Sequence, residues 1–318
     1  MRQRSNRVWV ALLVGAAFSL LLGTVAMAAT IVGDDGPNTL NGTPRGDLVR
    51  AKGGDDTVTS LGGRDFVIAG DGNDSVDAGA GHDFVRGGEG DDTLRGGGGA
   101  PGRRGDELHG NAGNDTVVGG AGFDLVTGNA GADNLNGGPG CDRIFAGPDD
   151  DRLAGGQGFS FRRLRCERLH GGLGNDISSG GGGRDFMSGG QGDDVQAGGG
   201  GADKIFANRG VDKSYGGDGA DVLWALSRFD VAAIGDPVGD QVSGGEGRDR
   251  IKVRDGEVDV VNCGPGRDLV VTDQYDQVAA NCEVRRQSDI LSLDQVDDTE
   301  ENRTEAPDED EDEGTDEP

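Results

Sequence analysis

Large aliphatic side chains recur at every ninth position through much of this chain. Leu40, Val49, Val58, Val67, Val76, Val85 and Leu94 form one unbroken series. Two residues before each stands Asn38, Asp47, Asp56, Asp65, Asp74, Asp83 or Asp92. Two residues earlier again stands Gly36, Arg45, Gly54, Gly63, Gly72, Gly81 or Gly90. Three columns held in phase over seven steps define an internal repeat. Within each unit one apolar residue lies between two polar ones, the alternation of a short strand with one buried side chain. The glycine-bearing remainder predicts a tight turn, because glycine accepts positive φ and lets backbone come close to a ligand.

Insertions break the phase twice without ending it. After residues 98–104 it resumes at Asp106, Asp115, Asp124, Asp133, Asp142 and Asp151, with Leu108, Val117, Val126, Leu135, Ile144 and Leu153 as the apolar column. After residues 159–165 it continues as Glu167, Asp176, Asp185, Asp194, Asp203, Asp212 and Asp221. In this third block Ser178, Gln196 and Ser214 alternate with Met187, Ile205 and Leu223. One wall of the coil is therefore polar, and Ile177 and Val195, one place earlier, are expected to restore it by a local shift. Beyond Trp224 the spacing loosens, although Asp240, Asp249 and Asp268 still follow glycine-bearing turns. Trp224, Phe229 and Ile234 are expected to plug the end of the regular coil.

The unit is close to G-G-x-G-x-D-x-U-x, with U a large aliphatic residue. Gly87-Gly88-Glu89-Gly90-Asp91-Asp92-Thr93-Leu94-Arg95 is a full copy. These residues resemble the RTX family, the hemolysin-type calcium-binding repeats, closely over about residues 34–225 and loosely over about 236–285. The resemblance implies an all-β fold, a parallel β-roll (β-solenoid) with two nonapeptides per coil. It also implies Ca2+ as cofactor, each ion shared between an aspartate of one turn and carbonyls of its neighbours. By residue match the carboxylate ligands would be Asp47, Asp56, Asp65, Asp74, Asp83, Asp92, Asp106, Asp115, Asp124, Asp133, Asp142, Asp151, Asp176, Asp185, Asp194, Asp203, Asp221, Asp249 and Asp268.

Elementary energetics point the same way. The chain has 64 glycines in 318 residues and only 4% aromatics, too few large side chains for a conventional core. One buried Val or Leu contributes about 1.5–3 kcal/mol. Ordering nine residues costs about 1–2 kcal/mol each. The stacked aspartates also repel one another. A hard divalent cation taking carboxylate and main-chain oxygens offsets both terms, so metal binding and folding are expected to be one event.

The ends are of another character. Residues 1–28, with Arg2, Arg4 and Arg7 ahead of an apolar run and an Ala26-Met27-Ala28 site, are expected to be a secretory signal peptide. The expected organisation is then a β-roll over 29–230, degenerate repeats and a C-terminal cap over 231–288, and a disordered acidic tail over 289–318. Four cysteines in an exported chain suggest disulfides. Cys141 with Cys166 and Cys263 with Cys282 are the preferred local pairs among three connectivities. His82, His109 and His170 fall at variable repeat positions and are expected to be exposed decoration. The net charge of −28 argues against nucleic acid. Neither G-x-S-x-G nor H-E-x-x-H occurs. The expected protein is therefore secreted or on the cell surface, without a transmembrane span after signal cleavage. It is expected to be non-enzymatic, partnered by calcium ions and by a cell-surface polymer or protein. The alternative is an exported enzyme or adhesin whose active part is not recognisable.

Overall fold

The computed structural model describes residues 28–98, 104–157, 167–225, 239–282 and 284–287. The expected signal peptide (but for Ala28), the acidic tail, most of both insertions, and Phe229 and Ile234 lie outside these residues. Among the described residues the chain is a parallel β-solenoid of about 12 coils with no helix. Each coil gives one strand to each of two sheets. The first sheet runs from Thr30–Val32 through Leu48–Gly53, Phe66–Asp71 and Phe84–Glu89 to Val284–Gln287. The second runs from Thr39–Asn41 through Thr57–Thr59, Ser75–Asp77 and Thr93–Gly98 to Gln277–Val278.

Register follows the nonapeptide directly. Val49 pairs with Val67 and Leu40 with Val58, two repeats apart. The insertions lengthen a coil without shifting the strands. Val85 pairs with Leu108, Ile144 with Leu169 and Ser214 with Val242, so the same column stays inside. The two apolar columns meet between the sheets, and Val49, Val85, Leu108, Val126, Ile144 and Leu223 are fully buried. A one-residue slip would send every one of them to the outside, so the pattern itself fixes the register.

The expected shift in the third block does not occur. Ser178, Gln196 and Ser214 keep their inward places at 5%, 1% and 2% exposure, while Ile177 remains outside at 48%. Strand pairing to Leu153 and Val242 on either side holds the register, and a shift would break both ladders. The cost is a polar wall. Gln196 Nε2 is buried without a partner, although Gln196 Oε1 accepts a 3.4 Å hydrogen bond from Ser214 Oγ. Gln196→Leu, nearly isosteric, should therefore raise the melting temperature in calcium, by an amount equivalent to about 1 kcal/mol. A calorimetric melt checks it.

The turns explain the glycines. Gly88 has φ of 138°, and a Cβ there would run into the Gly70 carbonyl of the preceding coil. Where this turn position is not glycine, Asn111, Asn129 and Asn208 adopt φ of 89°, 79° and 74°, a conformation asparagine tolerates, and Lys52 takes it at 89°. Asp149, in place of the other turn glycine, does the same at 83°.

The outer face of the first sheet carries an aromatic ladder. Phe66 stacks on Phe84 with ring centroids 4.7 Å apart, Phe145 on His170 at 5.0 Å, and Phe206 on Trp224 at 4.4 Å. Trp224 is thus a strand residue on the outer surface, with the Lys204 and Lys252 ammonium groups 5.3 and 5.2 Å from its ring, and not an end plug. The histidines are half-buried, not exposed. His109 lies 2.7 Å from Thr127 Oγ1 and 3.1 Å from Glu107 Oε1, and His170 lies inside the aromatic stack.

The stack continues past the loosened repeats. Val242 pairs with Val261, and Ile251 with Val270. Cys263 and Cys282 are joined in a disulfide with Cα atoms 5.1 Å apart, tying together two consecutive coils. Cys141 is also disulfide-bonded, and its expected partner, Cys166, lies outside the described residues.

Candidate metal centre

Every coil turns twice, and each turn delivers one carboxylate to the inside edge of the solenoid. The strand begins one residue after the aspartate, so the aspartate is fixed by the ladder. For example, Thr93 N donates to Asp74 O at 2.8 Å. The result is two columns running the length of the rod. One edge holds Asp56, Asp74, Asp92, Asp115, Asp133, Asp151, Asp176 and Asp194. The other holds Asp47, Asp65, Asp83, Asp106, Asp124, Asp142, Glu167, Asp185, Asp203, Asp221, Asp249 and Asp268.

Within a column each residue binds the next coil through its backbone. Asp74 N donates to Asp92 Oδ1 at 2.8 Å, Asp92 N to Asp115 Oδ1 at 2.8 Å, and Asp115 N to Asp133 Oδ1 at 2.7 Å. Glu167 serves in place of aspartate: its Oε2 accepts from Asp142 N at 2.7 Å, and its own N–H donates to Asp185 Oδ1 at 3.0 Å. One carboxylate oxygen is thereby used. The other is buried and has no partner at Asp56, Asp65, Asp74, Asp83, Asp92, Asp115, Asp124, Asp133, Asp142 and further along both columns. An unpartnered buried carboxylate oxygen is costly, and here the cost repeats at every turn.

What these oxygens face is informative. A Cβ placed on Gly198 would lie 2.6 Å from Asp203 Oδ2 and 2.6 Å from the Gly216 carbonyl oxygen. A Cβ on Gly119 would likewise lie 2.8 Å from Asp124 Oδ2 and 2.7 Å from the Gly137 carbonyl. A carboxylate oxygen of one turn and a carbonyl oxygen of the next coil thus approach the same glycine, closer than any side chain there would allow. Hard oxygens of these two kinds are the donors that calcium takes, and soft or nitrogen donors are absent from the motif. The residues present fit that ion.

Electrostatics within the columns favours neutralisation. Burial pushes the Asp92 and Asp115 carboxyls up to about 7, and that of Asp142 up to about 8. Glu167 rises to about 9 through burial and then the Asp142 charge, and Asp212 to about 9 through burial and then Asp240.

The sequence placed Asp212 and Asp240 in phase without counting them among the ligands, and it missed Asp259. All three extend the first column, with Asp212 N donating to Asp240 Oδ1 at 2.7 Å and Asp240 N to Asp259 Oδ1 at 2.7 Å. A second ladder of opposite sense also lies on the outer side of that edge. Asn73 N donates to Asp55 Oδ1 at 2.9 Å, Asp91 N to Asn73 Oδ1 at 2.8 Å, and Asn114 N to Asp91 Oδ1 at 2.7 Å. Its signal was available: the residue before the column aspartate is Asp or Asn in alternate repeats only. The two edges therefore differ chemically.

A family model described as the RTX calcium-binding nonapeptide repeat matches residues 32–67, 42–76, 68–100, 103–126, 109–140, 127–161, 170–203 and 188–223, together more than half of the chain. No curated protein matches it. No helix among the described residues is long and apolar enough to cross a membrane. With two columns of turn aspartates in register and a matching model over most of the rod, the chain belongs to the RTX calcium-binding nonapeptide repeat family.

Proposed function

We propose that this chain is an exported rod whose calcium ions are held by the two aspartate columns, and whose folding is driven by those ions. Asp56, Asp74, Asp92, Asp115, Asp133, Asp151, Asp176 and Asp194 serve one edge. Asp47, Asp65, Asp83, Asp106, Asp124, Asp142, Asp185, Asp203, Asp221, Asp249 and Asp268 serve the other. The carrying observation is the run of buried carboxylate oxygens without a hydrogen-bond partner, which at Gly119 and Gly198 approach the turn together with a carbonyl of the next coil. When bound, calcium supplies positive charge between carboxylates that otherwise repel, and it joins consecutive coils. The protein's own part is to present one carboxylate and one carbonyl per turn at a constant spacing. Its role is structural or one of surface interaction, since the arrangement offers repeated binding and no recognisable reacting group.

A circular dichroism titration of the full chain at neutral pH tests the coupling. Excess chelator should leave little β signal, and calcium should restore it cooperatively. A full β signal in excess chelator overturns the reading. Export is tested separately, by fractionating cells that express the chain. Recovery from the medium or the cell surface is the expected result, and confinement to the cytoplasm the opposing one.

A further inference from the structure

The coil that begins at Arg254 departs from the repeat in a particular way. Aligned on its column aspartate, Asp259, the second and fourth positions of the nonapeptide, both glycine in the full repeat, are held by Asp255 and Glu257. This stretch lies beyond the residues that the family model matches. We propose that Asp255, Glu257 and Asp259 form a separate calcium site at the C-terminal end of the solenoid, built from side-chain carboxylates of one turn.

One carboxylate oxygen from each of the three lies within 4.8 Å of those of the other two. All three residues are buried, at 2%, 4% and 0% exposure. Asp259 Oδ1 is committed to Asp240 N at 2.7 Å, and Asp259 Oδ2 is buried with no partner. That orphan oxygen marks a place for a cation, as those of the columns do, and here two further buried carboxylates lie beside the same residue. The next turn closes over the group. Asp273 Oδ2 accepts from Gly256 N at 3.0 Å, and Asp276 Oδ1 accepts from Asp259 N at 3.4 Å. Asp276 Oδ2 in turn accepts from Asp273 N at 2.8 Å.

The difference from the repeat turns is one of charge. A repeat turn offers one column carboxylate and relies on carbonyls. Here one turn offers three carboxylates, with Asp273 and Asp276 beside them. Calcium affinity rises with the number of charged ligands and the rigidity of the site. The Cys263–Cys282 disulfide supplies rigidity within the same two coils. Burial, followed by the charges of Asp255 and Asp240, raises the pKa of Asp259, as expected for carboxylates crowded together without their cation. The site should therefore fill before the repeat columns and close the end of the rod.

Two measurements on the full chain test this, and neither depends on the repeat turns holding calcium. In a calorimetric calcium titration, the Asp255→Asn/Glu257→Gln variant should lose the tightest class of sites by at least ten-fold. Its later uptake and its β signal at saturating calcium should match the parent. A titration identical to the parent's overturns the proposal. The second measurement leaves the ligands untouched. Terbium replaces calcium, and its luminescence is excited through tyrosine. Tyr275 sits beside Asp273, its N–H donating to Asp273 Oδ1 at 2.8 Å. Tyr275→Phe should remove most of the luminescence gained at the first equivalent of terbium, and unchanged luminescence counts against the site. Failure of the repeat columns to bind would appear separately, as absence of the later calcium uptake in both proteins.

Discussion

In excess chelator, the chain should gain β structure as the pH is lowered from about 8 to about 5. The column carboxyls have folded-state pKa values raised by burial, to about 6 at Asp65 and Asp176, about 7 at Asp92, Asp115 and Asp194, and about 8 at Asp142. In the unfolded chain each returns to the ordinary value of 3.8. The metal-free folded state therefore binds protons that the unfolded state releases. Its stability from these groups is full below about pH 4 and is lost as pH rises through the folded values. Above about pH 8 most column carboxyls must carry charge in a buried place, and a cation offsets that. Protons and calcium are thus alternative neutralisers of the same oxygens. Calcium affinity should accordingly weaken over the same window as the pH falls. Far-UV circular dichroism in chelator, read between about pH 5 and 9, is the check. A β signal that is flat across that range would show that the buried charges do not limit folding.

The second large effect is a change of sign. Asp115→Asn keeps an oxygen to accept the 2.7–2.8 Å type of backbone bond that Asp115 Oδ1 now receives from Asp92 N. It replaces the unpartnered Oδ2 by an amide nitrogen. That oxygen and the Gly128 carbonyl of the next coil both approach Gly110. Without metal the variant should be more stable than the parent, because a buried charge and an orphan acceptor are both removed. With saturating calcium it should be less stable, by on the order of 3 kcal/mol, because one charged ligand is missing from a buried ionic site. Melts of parent and variant in chelator and in calcium should therefore cross. A substitution that harms both states equally would mean that Asp115 acts through the backbone ladder alone.

Much of the fold was legible because one residue in nine carries it. The column of Val49, Val67 and Val85 sets the strand, its facing and its register, and with two repeats per coil the alternation of repeats between opposite sheets was expected too. The carboxylate positions were equally legible, since most column aspartates stand two residues before a buried aliphatic. The hydrogen bond from each aspartate N–H to the next coil's carboxylate was not. It depends on the axial stacking of residues 18 apart, which no local pattern states. The polar wall at Ser178, Gln196 and Ser214 was misread for a related reason. Local hydrophobicity favoured Ile177, but strand pairing on both sides outweighed it. The Asp255, Glu257 and Asp259 group escaped notice because it replaces glycines, the residues by which the repeat is recognised.

The coils of differing length have a practical consequence. The strands Thr93–Gly98 and Arg152–Gln157, which precede the two insertions in sequence, lie in the same sheet, three coils apart, or about 14 Å at the usual strand spacing. Because Val85 still pairs with Leu108, and Ile144 with Leu169, the lattice ignores what is inserted between them. The rod is in effect a ruler with attachment points. Foreign peptides grafted after these two strands would be displayed at a set interval, on a scaffold that in the proposed reading assembles only with calcium.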